Sequence, residues 1–137
     1  MASITLQGLT KRFGPVVAVD ALHLEIQEGE LITLLGPSGC GKTTTLRMVA
    51  GFETPDAGEI LFGGRPVTWT PPERRNVGIV FQNYALFPHL TVAENVAFGL
   101  QMRREPPATI ARRVGEILER VQLRGLERRY PHQRRSR

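Results

Sequence analysis

Apolar and polar positions alternate in two short stretches near the start of the chain, residues 3–6 and residues 22–26. Alternation predicts a half-buried β-strand, because successive side chains of a strand point to opposite faces of the sheet. Residues 31–35 form a nearly continuous apolar run, which favours a strand buried on both faces. Short runs rich in apolar and β-branched residues predict two further strands, at 59–62 and 77–81.

Helical signals dominate the second half of the chain. Thr91 and Glu94 match a capping box, which predicts a helix from Thr91 to about Met102. Two prolines, at 106 and 107, then interrupt the pattern. Beyond them apolar residues recur at helical spacing and predict a last helix: Ile110, Val114, Ile117, Leu118 and Val121. The strand-rich part therefore gives way to a helical part near residues 83–90.

The chain has 137 residues, of which 41% are hydrophobic and 23% are charged. These proportions are ordinary for a globular protein and exclude a disordered or collagen-like chain. The single cysteine, Cys40, excludes an internal disulfide. No stretch approaches the roughly 20 apolar residues of a membrane-spanning helix, and the N-terminus lacks the pattern of a secretory signal. We therefore expect one cytoplasmic domain, or a piece of a larger one.

The net charge of +5 is unevenly distributed. Residues 1–100 carry 7 Lys and Arg against 9 Asp and Glu, whereas residues 101–137 carry 11 Arg against 4 Glu. A basic end is typical of binding to nucleic acid or to an anionic membrane, and equally of a solvated helix face. We favour the solvated face and expect no nucleic-acid partner, because no aromatic residues interleave with these arginines as in single-strand binders.

Residues 36–43 read Gly-Pro-Ser-Gly-Cys-Gly-Lys-Thr and match the phosphate-loop pattern G-x-x-x-x-G-K-[ST] in full. The apolar run before it and a predicted helix over residues 42–50, ended by Gly51, supply the expected context. Glycines let backbone N–H groups turn towards phosphate oxygens, and the helix adds its positive N-terminal end. Lys42 would bind the β- and γ-phosphates, and the Thr43 hydroxyl would ligate Mg²⁺. Cys40 is interpreted as a small residue of this loop with incidental thiol reactivity.

A phosphate loop alone does not distinguish an ATPase from a GTPase or a small-molecule kinase. Residues 80–96, VFQNYALFPHLTVAENV, strongly resemble the Q-loop region of the ATP-binding subunits of ABC transporters. Lys11-Arg12-Phe13-Gly14 is similar to the adenine-stacking loop of that family. The resemblance extends from about residue 3 to residue 133 and is greatest to bacterial importers of the polyamine, iron(III), sulfate and sugar group.

The resemblance implies an α/β fold: the N-terminal part of a RecA-like P-loop ATPase domain, with an antiparallel β subdomain and the start of a helical subdomain. It implies that Phe13 stacks on adenine and that Gln82 approaches Mg²⁺ and the attacking water. The positions expected to hold ATP and Mg²⁺ in the phosphate loop are Gly36, Ser38, Gly39, Cys40, Gly41, Lys42, Thr43 and Thr44. Thr43 and Gln82 would be the metal ligands.

The same resemblance implies parts that the 137 residues do not contain. The family's signature L-S-G-G-Q would follow Gln133, yet the sequence continues Arg134-Arg135-Ser136-Arg137. An acidic strand end with a catalytic Glu and a switch His are also missing. We therefore expect an incomplete nucleotide-binding core over 1–85, the start of a helical subdomain over 86–133 and an aberrant Arg-rich tail over 134–137. A frameshift or a premature stop would produce such a tail.

Three functional hypotheses follow. The first is the N-terminal part of an importer's ATP-binding subunit, with permease subunits and a second ATPase subunit as partners, peripheral on the inner face of the cell membrane. The second is a working ATPase, which requires either that the missing half is a separate chain or that the sequence contains a sequencing error. The third is a non-catalytic nucleotide-binding fragment, or a binder of nucleic acid or anionic lipid through its basic end. Because hydrolysis needs an oriented water and a residue to position it, we expect no independent ATPase activity.

Overall fold

The computed structural model describes residues 2–81 and 86–133. The chain divides into two compact units, Met1–Ile79 and Val80–Arg137. Within the described residues, the strands and the first helix lie in the first unit, and the two longer helices lie in the second. The order of the elements is therefore the predicted one, with the β-structure in the first part of the chain and the longer helices in the second.

The first unit is built on a four-stranded antiparallel sheet with the order β2-β1-β3-β4. Its strands are β1 (Ile4–Phe13), β2 (Val16–Ile26), β3 (Ala57–Phe62) and β4 (Arg65–Pro66). The strands predicted at 3–6, 22–26 and 59–62 are confirmed, although β1 and β2 extend much further and form one long hairpin. Gly14, with a φ of 57°, allows the tight turn that joins them.

Helix α1 (Lys42–Ala50) packs against this sheet and matches the predicted helix. It ends at Gly51, whose φ of 88° is the left-handed conformation that closes many helices. The core between helix and sheet is formed by apolar side chains that are almost entirely buried: Leu6, Leu9, Val19, Met48 and Ile60. This core fixes α1, and therefore the loop that precedes it, relative to the β1–β2 hairpin.

Two predicted strands are wrong. Residues 31–35 have no regular secondary structure, and Leu31 and Leu35 are 93% and 88% exposed instead of buried. Residues 77–81 are irregular as well, and Val80 is 87% exposed. A strand buried on both faces depends on neighbouring strands for its hydrogen bonds. In the described part of the chain, neither segment is paired within the sheet.

A buried arginine holds the end of α1 in place. Arg75 follows a short 3-10 helix (Pro72–Arg74) and is only 6% exposed. Its guanidinium donates to the carbonyl oxygens of Met48 and Val49 at the C-terminus of α1, at 2.7 and 2.9 Å. It also donates to the carbonyls of Thr68 and Thr70, at 2.8 and 2.6 Å. One side chain therefore ties the last turn of α1 to the segment after β4.

The second unit contains α2 (Val92–Met102) and α3 (Pro107–Arg120). The predicted capping box is confirmed, since the Thr91 hydroxyl accepts from the Glu94 N–H and the Glu94 carboxylate accepts from the Thr91 N–H at 2.7 Å. The two helices pack through Ala97, Val114 and Leu118.

The apolar stripe predicted for α3 is buried only in part. Ile117 and Val121 were expected to share its buried face, but they are 41% and 52% exposed. Val121 lies at the C-terminal end of α3, beyond the last helical turn, where one helix packed on another offers less cover. No helix within residues 2–81 or 86–133 is both long enough and apolar enough to cross a membrane.

Candidate functional site

The glycine-rich segment 36–41 forms an open turn that leads directly into α1. Gly39 and Gly41 have φ values of 82° and 87°, a region that residues with a Cβ atom rarely adopt. At Gly41 the requirement is also steric, because a Cβ atom there would collide with the carbonyl oxygen of Ala18 on β2. These glycines therefore allow the loop to curl and to lie directly against the hairpin.

The side chain of Lys42 lies in the concave side of this loop. Its ammonium donates to the carbonyl oxygens of Gly36 and Pro37, at 2.6 and 2.8 Å, and contacts the Cys40 sulfur at 3.1 Å. The first residue of α1 thus places a positive charge among the backbone groups of the loop. This arrangement provides a cation where the sequence predicts that phosphates bind.

Cys40 is exposed and shares the same cation. The hydrogen bond from Lys42 lowers the pKa of the Cys40 thiol below its ordinary value of 9.0. A larger fraction of this side chain is therefore thiolate at neutral pH than for an unperturbed cysteine. The interpretation of Cys40 as a loop residue with incidental reactivity agrees with its position.

The N-terminal turn of α1 is suited to an anion. Gly41 provides no side chain to cap it, and the first turn carries no acidic residue. The first N–H groups of a helix have no intrahelical acceptor, and they carry the positive end of the helix dipole. Thr43 is exposed and Thr44 is half-buried. Thr45, by contrast, is buried and returns its hydroxyl to the Gly41 carbonyl at 2.9 Å, so it is engaged by the fold.

A cleft of about 350 Å³ opens beside the loop. Its walls come from β2, from residues 33–35 and from the start of α1, and they include Ala18, Asp20, Leu22, Leu35, Cys40 and Lys42. Polar and apolar groups thus converge on one opening next to the phosphate-loop sequence. Ser38 and Gly39 are exposed on the loop itself.

Phe13 lies at the turn end of the hairpin that borders this loop. It pairs with Val16 across the hairpin, two residues before Ala18, whose carbonyl contacts Gly41. With a rise of about 3.3 Å per residue and a strand spacing of about 5 Å, the Phe13 backbone is within roughly 10–15 Å of the loop. The ring is 49% exposed. Gln82 lies outside the described residues.

Sequence reasoning assigned no role to Lys11 or Arg75. The Lys11 ammonium binds the Thr54 carbonyl, 43 positions away, at 2.7 Å, and Arg75 binds carbonyls 26 and 27 positions away. Contacts at such separation leave no local pattern. The sequence shows Lys11 only as one of two adjacent cations near the end of a strand, and Arg75 only as one of two adjacent arginines in a proline-rich loop.

Several arginines of the basic end are paired on the surface of the second unit. Arg112 binds Glu116 at 2.8 Å, one helical turn away, and Arg124 binds Glu119 at 3.1 Å. All four side chains are more than half exposed. The Arg112–Glu116 pair is typical of a solvated helix face, whereas Arg124 lies beyond the end of α3.

A comparison with protein-family models matches residues 19–137 to the family described as ABC transporter. Among curated proteins, the spermidine/putrescine import ATP-binding protein PotA of Nitrosomonas europaea is 56% identical over 133 residues, covering 97% of this chain and 37% of that protein. PotA of Acidothermus cellulolyticus is 61% identical, covering 93% and 34%. The sulfate/thiosulfate import ATP-binding protein CysA of Gloeobacter violaceus is 54% identical, covering 96% and 38%. The chain therefore spans little more than a third of these relatives.

A solved structure shows the same fold. The dimeric, post-hydrolysis state of an ATP-binding cassette bound to ADP and Pi superimposes with a TM-score of 0.82 and 27% sequence identity. The match covers 96% of this chain and 63% of the cassette. The expected fold, part of an ABC-type ATPase domain with an antiparallel sheet and helices, is confirmed.

Proposed function

The chain belongs to the ABC transporter family, and we propose that it is the nucleotide-binding part of the ATP-binding subunit of an importer. The observation that carries this proposal is the loop at 36–43, with the Lys42 ammonium among its carbonyl oxygens and α1 beginning at its end. The ligand we propose is ATP, bound by its phosphates at residues 36–44.

The phosphate contacts would come from backbone and side chain together. Lys42 would move from the Gly36 and Pro37 carbonyls to the phosphate oxygens, which are stronger acceptors for a cation. The N–H groups at the start of α1 would donate to the same phosphates. No carboxylate in that turn would repel them. We assign phosphate binding to Gly36, Ser38, Gly39, Cys40 and Gly41 in the loop and to Lys42, Thr43 and Thr44 in the helix.

The site also fits Mg²⁺ bound together with a nucleotide. Mg²⁺ commonly takes one or two protein oxygens and completes its shell with phosphates and waters. Thr43 offers an exposed hydroxyl at the start of α1, and we propose it as the protein ligand. The other ligand expected from the sequence, Gln82, lies outside the described residues. In the described part of the chain, no three His, Cys, Asp or Glu side chains group to hold a metal ion. The bound ion would supply charge neutralisation of the phosphates.

The transported solute is not encoded in this segment. Relatives named for spermidine and putrescine and a relative named for sulfate and thiosulfate match it at 56% and 54% identity. Relatives named for chemically opposite solutes are therefore about equally similar to this chain over this region. We propose that permease subunits and a second ATP-binding subunit are the partners, and that the protein works at the cytoplasmic face of the membrane.

Titration calorimetry with Mg-ATP tests the proposal on the wild-type chain, Lys42→Ala and Arg47→Ala. Arg47 is an exposed cation in the last turn of the same helix and serves as the matched control. Lys42→Ala should weaken binding roughly 10–100-fold, because a hydrogen bond to a charged group contributes about 1.5–3 kcal/mol. Arg47→Ala should bind like the wild type. Equal affinity of Lys42→Ala and the wild type would refute the assignment of the loop.

A further inference from the structure

Lys11 is held rigidly by the segment that connects α1 to β3. Its ammonium lies 2.9 Å from the Glu53 carboxylate, 3.6 Å from the Asp56 carboxylate and 2.7 Å from the Thr54 carbonyl. The side chain is only 12% exposed. The hydrogen bond to Glu53 raises the pKa of Lys11 above its ordinary value of 10.5, so the side chain is charged at neutral pH.

The backbone reinforces this position. The Asp56 carboxylate accepts from the Arg12 N–H at 2.6 Å, and the Asp56 N–H donates to the Thr10 carbonyl at 2.9 Å. Residues 53–56 are therefore fastened along the end of β1 on both sides of Lys11. The position of the ammonium is set by these oxygen atoms and does not depend on any aromatic neighbour.

The fixed ammonium lies over the ring of Phe13. Lys11 and Phe13 are two residues apart on β1 and so point to the same face of the strand. The Lys11 nitrogen is 5.3 Å from the ring centroid, within the distance at which a cation is attracted to an aromatic face. Phe13 nevertheless remains 49% exposed, so a planar group can still reach it.

We propose that Lys11 is a positioning residue for base stacking by Phe13, an inference that rests on the proposed function. The cation on one face holds the ring in a single orientation and draws electron density from it. The opposite face of the ring then stacks more favourably on an electron-rich purine. Lys11 would thus raise the contribution of the adenine base to binding while leaving the contribution of the phosphates unchanged.

The test compares Mg-ATP with inorganic triphosphate, each titrated into the same protein preparation. The ratio of the two dissociation constants reports the contribution of the adenosine part of ATP, because both ligands carry the triphosphate. The variants are Lys11→Met, Phe13→Ala and the double variant, with Arg12→Met as the control. Arg12 is an adjacent exposed cation whose backbone contact with Asp56 survives the substitution.

Phe13→Ala should weaken ATP relative to triphosphate by about 5–100-fold, the range of base–aromatic stacks. Lys11→Met should weaken it about 2–5-fold and should add nothing in the Phe13→Ala background. Arg12→Met should leave the ratio unchanged. If Lys11→Met weakens both ligands equally, or changes the ratio as much without Phe13 as with it, the role of Lys11 is refuted while nucleotide binding stands. If Phe13→Ala leaves the ratio unchanged, base stacking itself is refuted.

Discussion

Arg75→Ala should destabilise the first unit more than any exposed substitution near it. The guanidinium donates to four backbone carbonyls at 2.6–2.9 Å from a position that is only 6% exposed. Burial lowers the pKa of Arg75, although at ordinary pH the side chain stays charged. Four carbonyl dipoles therefore stand in for a carboxylate partner.

The size of this destabilisation is worked out from the carbonyl oxygens that lose a hydrogen bond when Arg75 is removed. The Met48 carbonyl keeps a hydrogen bond from the Gly51 N–H at 3.1 Å and loses little. The carbonyls of Val49, Thr68 and Thr70 each lose a charged donor, at the low end of about 1–3 kcal/mol because water can enter the vacated space. The sum is about 3 kcal/mol, a large fraction of the roughly 5–15 kcal/mol that stabilises a typical domain. For a unit of this size, Met1–Ile79, it corresponds to a fall in Tm of about 12–24 °C.

The assay is urea and thermal unfolding followed by circular dichroism and by the fluorescence of Trp69. This is the single tryptophan of the chain and lies between two of the Arg75 acceptors. Arg74→Ala is the control, because Arg74 is exposed in the same 3-10 helix and should change stability by no more than about 0.5 kcal/mol. Equal stability of the Arg75 and Arg74 variants would refute the reasoning.

Two further predictions concern the surface. The bonds from Thr91 lower the pKa of Glu94 below its ordinary 4.5, so the stabilisation of α2 by the capping box should be complete above pH 4.5 and lost as pH falls through the lowered value. Glu94→Gln should abolish this acid dependence of helicity, and Thr91→Ala should lower the stability by about 1 kcal/mol. Identical acid profiles for Glu94→Gln and the wild type would contradict the role of the capping box. Because Leu31 and Leu35 are almost fully exposed, we expect the chain to aggregate. Changing both to Ser should reduce light scattering on concentration, whereas Thr33→Ser should not, and unchanged aggregation of the double variant would be the contrary result.

Most of the elements that were predicted correctly from the sequence depend on signals that act within a few residues. Helix α1 and its end at Gly51, and the capping box at Thr91, depend on atoms a few positions apart. The strands at 31–35 and 77–81 were predicted from apolar composition alone. That composition indicates what a segment would bury, but a strand needs a partner to bury it against.

In the candidate site, too, the local features could be predicted from the sequence and the long-range contacts could not. The phosphate-loop sequence is contiguous, so its curled backbone and the place of Lys42 could be expected from residue types. The Ala18 carbonyl against Gly41, the Lys11 contact with Thr54 and the Arg75 clamp could not. Each joins segments far apart in the chain, and these segments come together only in the folded unit.

The position of Lys42 has an energetic consequence for any anion that enters the loop. Its ammonium is already coordinated by the carbonyl oxygens of Gly36 and Pro37. Binding is therefore a ligand exchange at the lysine nitrogen, in which phosphate oxygens replace carbonyl oxygens. The affinity reports the difference between the two sets of contacts and is smaller than the new contacts alone would give. The same contacts offset the mutual repulsion of the loop's carbonyl dipoles, because the Lys42 ammonium lies among them. The loop therefore keeps its curled conformation before the anion binds.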